Sequence, residues 1–284
     1  ADDPILSRSE SWYLDIKNKE LYKTPEYLSP YPMQGTAFFI SDKGLLLTNK
    51  HVTNLIYADE HYDGGSLSAE LKDIVQTARE KCINKYSGYL SYNKIMLWYN
   101  SAPILSVEPV SLGIRYPGRT YTSASEMDWA HVVKESDDPE ADIAVLRLNS
   151  GETPKDRDWF DLDRSIDIKN LKLNVENYYT LGFPKGDLLA TATDKEKYEP
   201  TSGVLHLSRT PGKYILYLQG DKTIEGQSGS PIYDKKHRLI GILWGGFKAT
   251  DNTNACPIVH AKKLLEDVME NDYSNQSYRS NNAY

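Results

Sequence analysis

From Gly35 to residue 260 the chain reads as a series of short β-rich runs set between turn clusters. Examples are Thr36–Ile40, Leu45–Thr48, Ile143–Leu148, Tyr178–Leu181, Gly203–Leu207, Tyr214–Leu218 and Leu239–Leu243. Each run is shorter than a stable helix and too apolar to stay in water alone, so the runs must pair with one another. Many short strands with few helices predict an all-β fold, a barrel or a sandwich. The first two runs are joined by Ser41-Asp-Lys-Gly44, a hairpin connection with a glycine where positive φ is useful.

Two segments break the strand pattern. Leu67, Leu71, Ile74, Val75, Ala78, Cys82, Ile83 and Tyr86 recur at helical spacing, with charges on the opposite face. They predict an amphipathic helix over 67–86, closed by Ser87-Gly88. Its apolar stripe faces a core, either docked on the first group of strands or rimming a cleft. A second helix is predicted from Lys262 to about Glu270. Residues 1–34, polar and aromatic with Pro25, Pro30 and Pro32 spaced through them, read as an irregular N-terminal arm. Residues 272–284 read as a disordered tail too polar to pack. That leaves 35–271 as one domain.

Composition narrows the function. A hydrophobic fraction of 39% in 284 residues supports a core of ordinary size. A net charge of -7 argues against a nucleic-acid partner. No stretch approaches about 18 consecutive apolar residues, so no membrane span is predicted. Cys82 and Cys256 are too few for a disulfide framework or a four-ligand zinc site; they form one bridge or stay as two buried thiols. The acidic run Asp156, Asp158, Asp161, Asp163 lacks the glycine and spacing of an EF-hand and reads as a solvated loop. No metal and no cofactor is therefore expected. The chain starts Ala-Asp-Asp-Pro without an initiator Met, as expected of a secreted or periplasmic protein whose signal peptide has been removed.

Three segments carry chemistry. Leu47-Thr-Asn-Lys-His51-Val52 puts a histidine at the end of a strand hairpin. Glu140-Ala-Asp142-Ile-Ala-Val-Leu-Arg-Leu148 opens a buried strand with an aspartate. Gly226-Gln-Ser228-Gly-Ser-Pro231 holds a serine in a glycine-bracketed turn. Serine nucleophilic catalysis needs these types: a hydroxyl, an imidazole to take its proton, and a carboxylate to fix the imidazole tautomer. Gly226 lets the backbone turn so that its N–H and that of Ser228 meet at one spot, an oxyanion hole. A Ser–acid–His order, with Asp251 and His260, would suit an α/β-hydrolase, but Ser230 replaces the second glycine of that elbow. The other histidines, His61, His131, His206, His237 and His260, read as surface or packed residues, with His206 the best placed to do more.

The three motifs in this order resemble the chymotrypsin-fold (trypsin-like) serine peptidases. The run Gly226-Gln-Ser-Gly-Ser-Pro-Ile232 followed by Leu239-Ile-Gly-Ile-Leu-Trp-Gly-Gly246 is most similar to the bacterial glutamyl endopeptidases and their exfoliative-toxin relatives. The resemblance covers about 35–60 and 142–270. It implies two six-stranded antiparallel β-barrels with the site in the cleft between them. A helical insertion at about 61–130 falls in the first barrel, and a helix ends the domain. It implies His51 as general base, Asp142 as its orienting partner and Ser228 as nucleophile. Gly226 and Ser228 would supply the oxyanion amides, and Trp244-Gly245-Gly246 the edge that pairs with an extended substrate. Gln227 stands where trypsin-like zymogens carry an aspartate, so that activation switch cannot work here in the same way.

Specificity stays open at this level. Lys222 and Thr223 fall at the expected base of the first pocket, and a cation there favours an acidic side chain before the cleaved bond. Leu243 replaces the histidine that glutamyl endopeptidases use, Glu225 at the rim would repel an acid, and a pocket of Leu243 and Cys256 would take an apolar one. The reading is a secreted serine endopeptidase acting on polypeptides, with a monomer expected. The alternatives are a catalytically silent binding protein on the same fold, or a periplasmic quality-control protease.

Overall fold

The computed structural model describes residues 13–22, 24, 26, 35–54, 69–86, 112–121, 123–173, 177–183, 200–223, 226–246, 251–266 and 268. The chain divides into two compact units, one of Ala1–Met33 with Asn54–Val110 and one of Gln34–Thr53 with Ser111–Tyr284. In the first unit, strands β1 (Tyr13–Asp15) and β2 (Glu20–Tyr22) pair antiparallel. The segment expected to be irregular thus carries a hairpin. Its turn is fixed by the buried Asp15, whose carboxylate accepts the Asn18 N–H at 2.8 Å. The helix Ala69–Tyr86 packs on β2, and Lys19 reaches Asp73 at 2.8 Å. Ile74, Val75, Ala78 and Cys82 are buried on its expected stripe. Its predicted closing pair, Ser87-Gly88, and the predicted tail lie outside the described residues.

The second unit holds the β-structure. Strands β3 (Phe38–Phe39), β4 (Leu45–Thr48), β5 (Leu112–Ile114), β6 (Asp128–Glu135) and β7 (Ala144–Leu148) form a sheet in the order β3-β4-β7-β6-β5. Five strands are described here where six were expected. Strands β8 (Tyr178–Gly182), β9 (Thr201–Leu207), β10 (Leu216–Gly220), β11 (Pro231–Tyr233), β12 (Leu239–Gly246) and β13 (Asn252–Pro257) close into a six-stranded barrel. A helix follows, from 259 to 266 and including 268, starting three residues earlier than expected. Gly44, in the β3–β4 turn, sits at φ +67, where a Cβ would lie 3.1 Å from the Glu152 nitrogen.

Alternation within the strands builds the cores. Phe39, Leu46, Leu146 and Leu148 pack with Tyr116 and Ala130 inside the five-stranded sheet. Their neighbours Phe38, Ile40, Leu45, Leu47 and Val145 point the other way, joining Leu239, Ile242, Cys256 and Ile258 of the barrel and Leu264 of the last helix. Runs such as Leu45-Leu-Leu are continuous because both faces are covered. Burying each such leucine is worth about 1.5–3 kcal/mol. The barrel has its own interior of Tyr178, Leu205, Leu207, Leu216, Leu218, Ile232, Ile240, Leu243 and Ala255. The shared layer joins sheet to barrel.

Candidate active site

Asp142 precedes β7 and is 1% exposed. His51 lies in a one-turn helix, Lys50–Thr53, just after β4, rather than at the end of the hairpin itself. The pairing of β4 with β7 places Thr48 opposite Ala144 and so carries the two residues together. His51 Nδ1 is 2.7 Å from Asp142 Oδ2, and the His51 main-chain N–H donates to Oδ1 at 2.9 Å. The fully buried Asn49 donates its amide to the Asp142 carbonyl at 2.9 Å, holding the aspartate's backbone from the other side. With the carboxylate at Nδ1, the imidazole keeps its proton there and leaves Nε2 to accept another.

Ser228 sits in a turn between Gly226 at φ +96 and Gly229 at φ +92, both in the region that favours glycine. A Cβ on Gly229 would lie 1.9 Å from the Thr36 carbonyl oxygen, so no larger residue fits. The Ser228 hydroxyl donates to the Trp244 carbonyl at 2.9 Å. Among the described residues no partner takes the N–H of Gly226 or of Ser228.

The turn is tied to the histidine segment through Thr36, which sequence reading passed over. Thr36 N donates to the Ser228 carbonyl at 2.7 Å, and the Thr36 carbonyl accepts from Thr48 Oγ1 at 2.8 Å, three residues before His51. Asn49 was missed as well. Both carry their signal in contacts across the fold.

Beyond the Pro231–Ile242 pair of β11 and β12, the Leu243 N–H donates to the Ser230 carbonyl at 2.8 Å and the Gly229 N–H to the Leu243 carbonyl at 2.9 Å, while Gly245 and Gly246 pair with Asn254 and Thr253 of β13. A bulge between Leu243 and Gly245 turns the strand there, and a Cβ on Gly245 would meet nothing within 4 Å. Thr223 Oγ1 donates to Thr253 Oγ1 at 3.2 Å, and that hydroxyl donates to the Gly245 carbonyl at 2.8 Å. Lys222 is exposed and, among the described residues, has no ion-pair partner.

Two expected pocket walls fall elsewhere. Leu243 has no exposed surface and belongs to the barrel core, because its side chain points inward between Ala255 and Ile232 neighbours of the closed sheet. Cys256 is 1% exposed in the shared core layer. Burial pushes its thiol well above the ordinary range, with the nearby Asp142 carboxylate adding to the shift. Both cysteines are buried free thiols, so the bridge considered from sequence does not form. Glu225 lies outside the described residues. In the acidic run, Asp156 is held by Arg119 at 3.0 Å and Asp161 accepts from the Asp163 N–H. Among the described residues no group of three or more His, Cys, Asp or Glu side chains is placed to hold a metal.

The profile described as the trypsin-like peptidase domain matches residues 35–242. Among solved structures, the chain is similar to a serine endoprotease from Yersinia pestis at 17% identity and a TM-score of 0.46, covering 83% of this chain and 57% of that one. It is similar to the HtrA-type protease AlgW with decapeptide at 19% identity and a TM-score of 0.45, covering 84% of this chain and 52% of that one. A third is an inactive mutant form of Rv3671c from M. tuberculosis H37Rv, at 14% identity and a TM-score of 0.45, with 83% and 82% covered. This chain thus spans little more than half of the first two proteins.

Proposed function

Because the chain belongs to the trypsin-like peptidase domain family, we propose that it is a serine endopeptidase that cleaves polypeptides through an acyl-enzyme on Ser228. The observation that carries this reading is the short contact between His51 Nδ1 and the buried Asp142 carboxylate. His51 Nε2 takes the Ser228 proton as Oγ attacks the peptide carbonyl carbon. The carbonyl oxygen becomes an oxyanion held by the Gly226 and Ser228 amides. The intermediate collapses, His51 returns the proton to the leaving amine, and the C–N bond breaks. Water, deprotonated by the same imidazole, then hydrolyses the ester and frees Ser228.

The same reading gives the enzyme a preference for an acidic side chain before the cleaved bond, as in the glutamyl endopeptidases it resembles. The Thr223 and Thr253 hydroxyls beside the Gly245 carbonyl, and the exposed Lys222 cation, without an ion-pair partner among the described residues, support it. With Leu243 and Cys256 withdrawn into the core, neither supplies the apolar lining of the competing reading. The test is a panel of matched peptides with Glu, Asp, Phe, Leu or Lys at that position, repeated with Lys222→Ala. Glu and Asp peptides should be cut fastest, and Lys222→Ala should erase up to about fivefold of that advantage, the worth of one exposed charge contact. Faster cleavage of Phe or Leu peptides, unaffected by Lys222→Ala, would sink the electrostatic argument.

The reading also makes it an exported enzyme, secreted or periplasmic. The periplasmic quality-control alternative fits the same fold and site. Fractionation of the source cells decides the location: enzyme confined to the cytosol would contradict export.

A further inference from the structure

We propose that Thr36 is a positioning residue for the oxyanion hole, fixing the peptide units on either side of the one that carries the Ser228 N–H; the inference rests on the function proposed above. Thr36 stands at the entry to β3, buried at 3% exposure, some 190 residues before the nucleophile turn. Every hydrogen-bonding group it has is engaged. Its N–H donates to the Ser228 carbonyl at 2.7 Å. Its hydroxyl donates to the Gly226 carbonyl at 3.0 Å and accepts from the Phe183 N–H at 3.0 Å. Its carbonyl accepts from Thr48 Oγ1 at 2.8 Å. A hydroxyl has one proton to give, and here it goes to the nucleophile turn.

The placement of these bonds matters more than their number. The Ser228 N–H belongs to the peptide unit between Gln227 and Ser228. Thr36 holds the carbonyls of the units on both sides, those of Gly226 and Ser228. The Gly226 N–H is separated from the held Gly226 carbonyl by that residue's own φ and ψ, with φ at +96. Glycine rotates there at little cost, so the backbone alone does not keep that amide aimed at the reacting oxygen. An oxyanion hole works by being set before charge develops, with no reorganisation left to do. The Thr36 hydroxyl is the side-chain contact that sets it. Because Thr48 grips the Thr36 carbonyl, the same residue couples the oxyanion turn to the strand that leads into the His51 helix.

The test compares Thr36→Val, which keeps shape and loses the hydroxyl, with Thr36→Ser, which keeps it, in the full chain. Rates are measured per active site titrated with a fluorophosphonate, so unfolded protein does not enter them. The second readout is the affinity of a peptide boronic acid, whose tetrahedral adduct places an oxygen in the hole. For Thr36→Val, kcat should fall roughly tenfold to a hundredfold, less than the loss of an oxyanion donor itself, with KM within about twofold. The boronic acid should weaken in parallel, and Thr36→Ser should stay near the parent. Should valine pack poorly, Thr36→Ala is read by the same two measurements. A purely structural role would lower Tm and leave kcat and boronate affinity per titrated site unchanged, which overturns the proposal. So would a fall in kcat without weaker boronate binding. A parent that neither takes the fluorophosphonate nor cuts peptides sinks the proposed function; a labelled, active parent matched by Thr36→Val sinks this inference alone.

Discussion

Ser228→Ala is expected to abolish peptide hydrolysis, with kcat falling on the order of 10⁶, while the fold survives. The stability cost is small because the hydroxyl makes one hydrogen bond, to the Trp244 carbonyl, in a partly exposed site. Losing a single such bond costs about 0.5–1.5 kcal/mol. His51→Ala should cost nearly as much activity and more stability. It leaves the buried Asp142 carboxylate with the His51 main-chain N–H but without the imidazole, a penalty of about 1–3 kcal/mol. The double variant should be little slower than either single one, since nucleophile and base act as a unit. Steady-state kcat, Tm and fluorophosphonate labelling are the measurements. Labelling should attach at Ser228 in the parent and vanish in both single variants. Turnover persisting in Ser228→Ala would overturn the mechanism, and a parent that never labels would favour a silent binding protein.

What could be read from the sequence was what is local. The glycine-bracketed serine, the histidine three residues past Thr48 and the aspartate at the head of β7 are each a few residues long, and their chemistry demands those residue types. The helix Ala69–Tyr86 and the turn before β4 also declare themselves locally, through apolar spacing and Gly44. What escaped was made by tertiary pairing. β13, Asn252-Thr-Asn-Ala-Cys-Pro257, has no strand-like alternation, and it is a strand because β10 and β12 flank it. β6 is broken by a register shift between Val132 and Lys134, which destroys the period-2 pattern. The β1–β2 hairpin is three residues a side and is held by the helix beside it. Thr36 and Asn49 look like ordinary strand-end polar residues, and only their partners, Gly226 and Asp142, mark them out. Leu243 was misplaced because a sequence position beside a pocket does not say which way the side chain points; the barrel interior takes it.

Asp142→Asn should leave the structure nearly intact and cut kcat on the order of 10⁴, the loss seen for the same exchange in a chymotrypsin-type triad. The geometry here says why. One carboxylate oxygen, Oδ1, accepts the His51 main-chain N–H at 2.9 Å, and the other, Oδ2, faces Nδ1 at 2.7 Å. A backbone N–H can only donate, so in the variant the carboxamide oxygen must stay at the Oδ1 position. That puts the NH₂ group against Nδ1. An amide nitrogen only donates, so Nδ1 must now accept, and the imidazole proton moves to Nε2. The nitrogen that should take the serine proton is then already protonated, and general-base catalysis stops in the neutral ring. Asn49 still holds the position 142 carbonyl, so the backbone has no reason to shift. The expected signature is a large fall in kcat with KM and Tm almost unchanged, and fluorophosphonate labelling of Ser228 slowed in proportion. A kcat within tenfold of the parent would mean that the buried carboxylate does not set the tautomer, and that His51 is oriented by some other group.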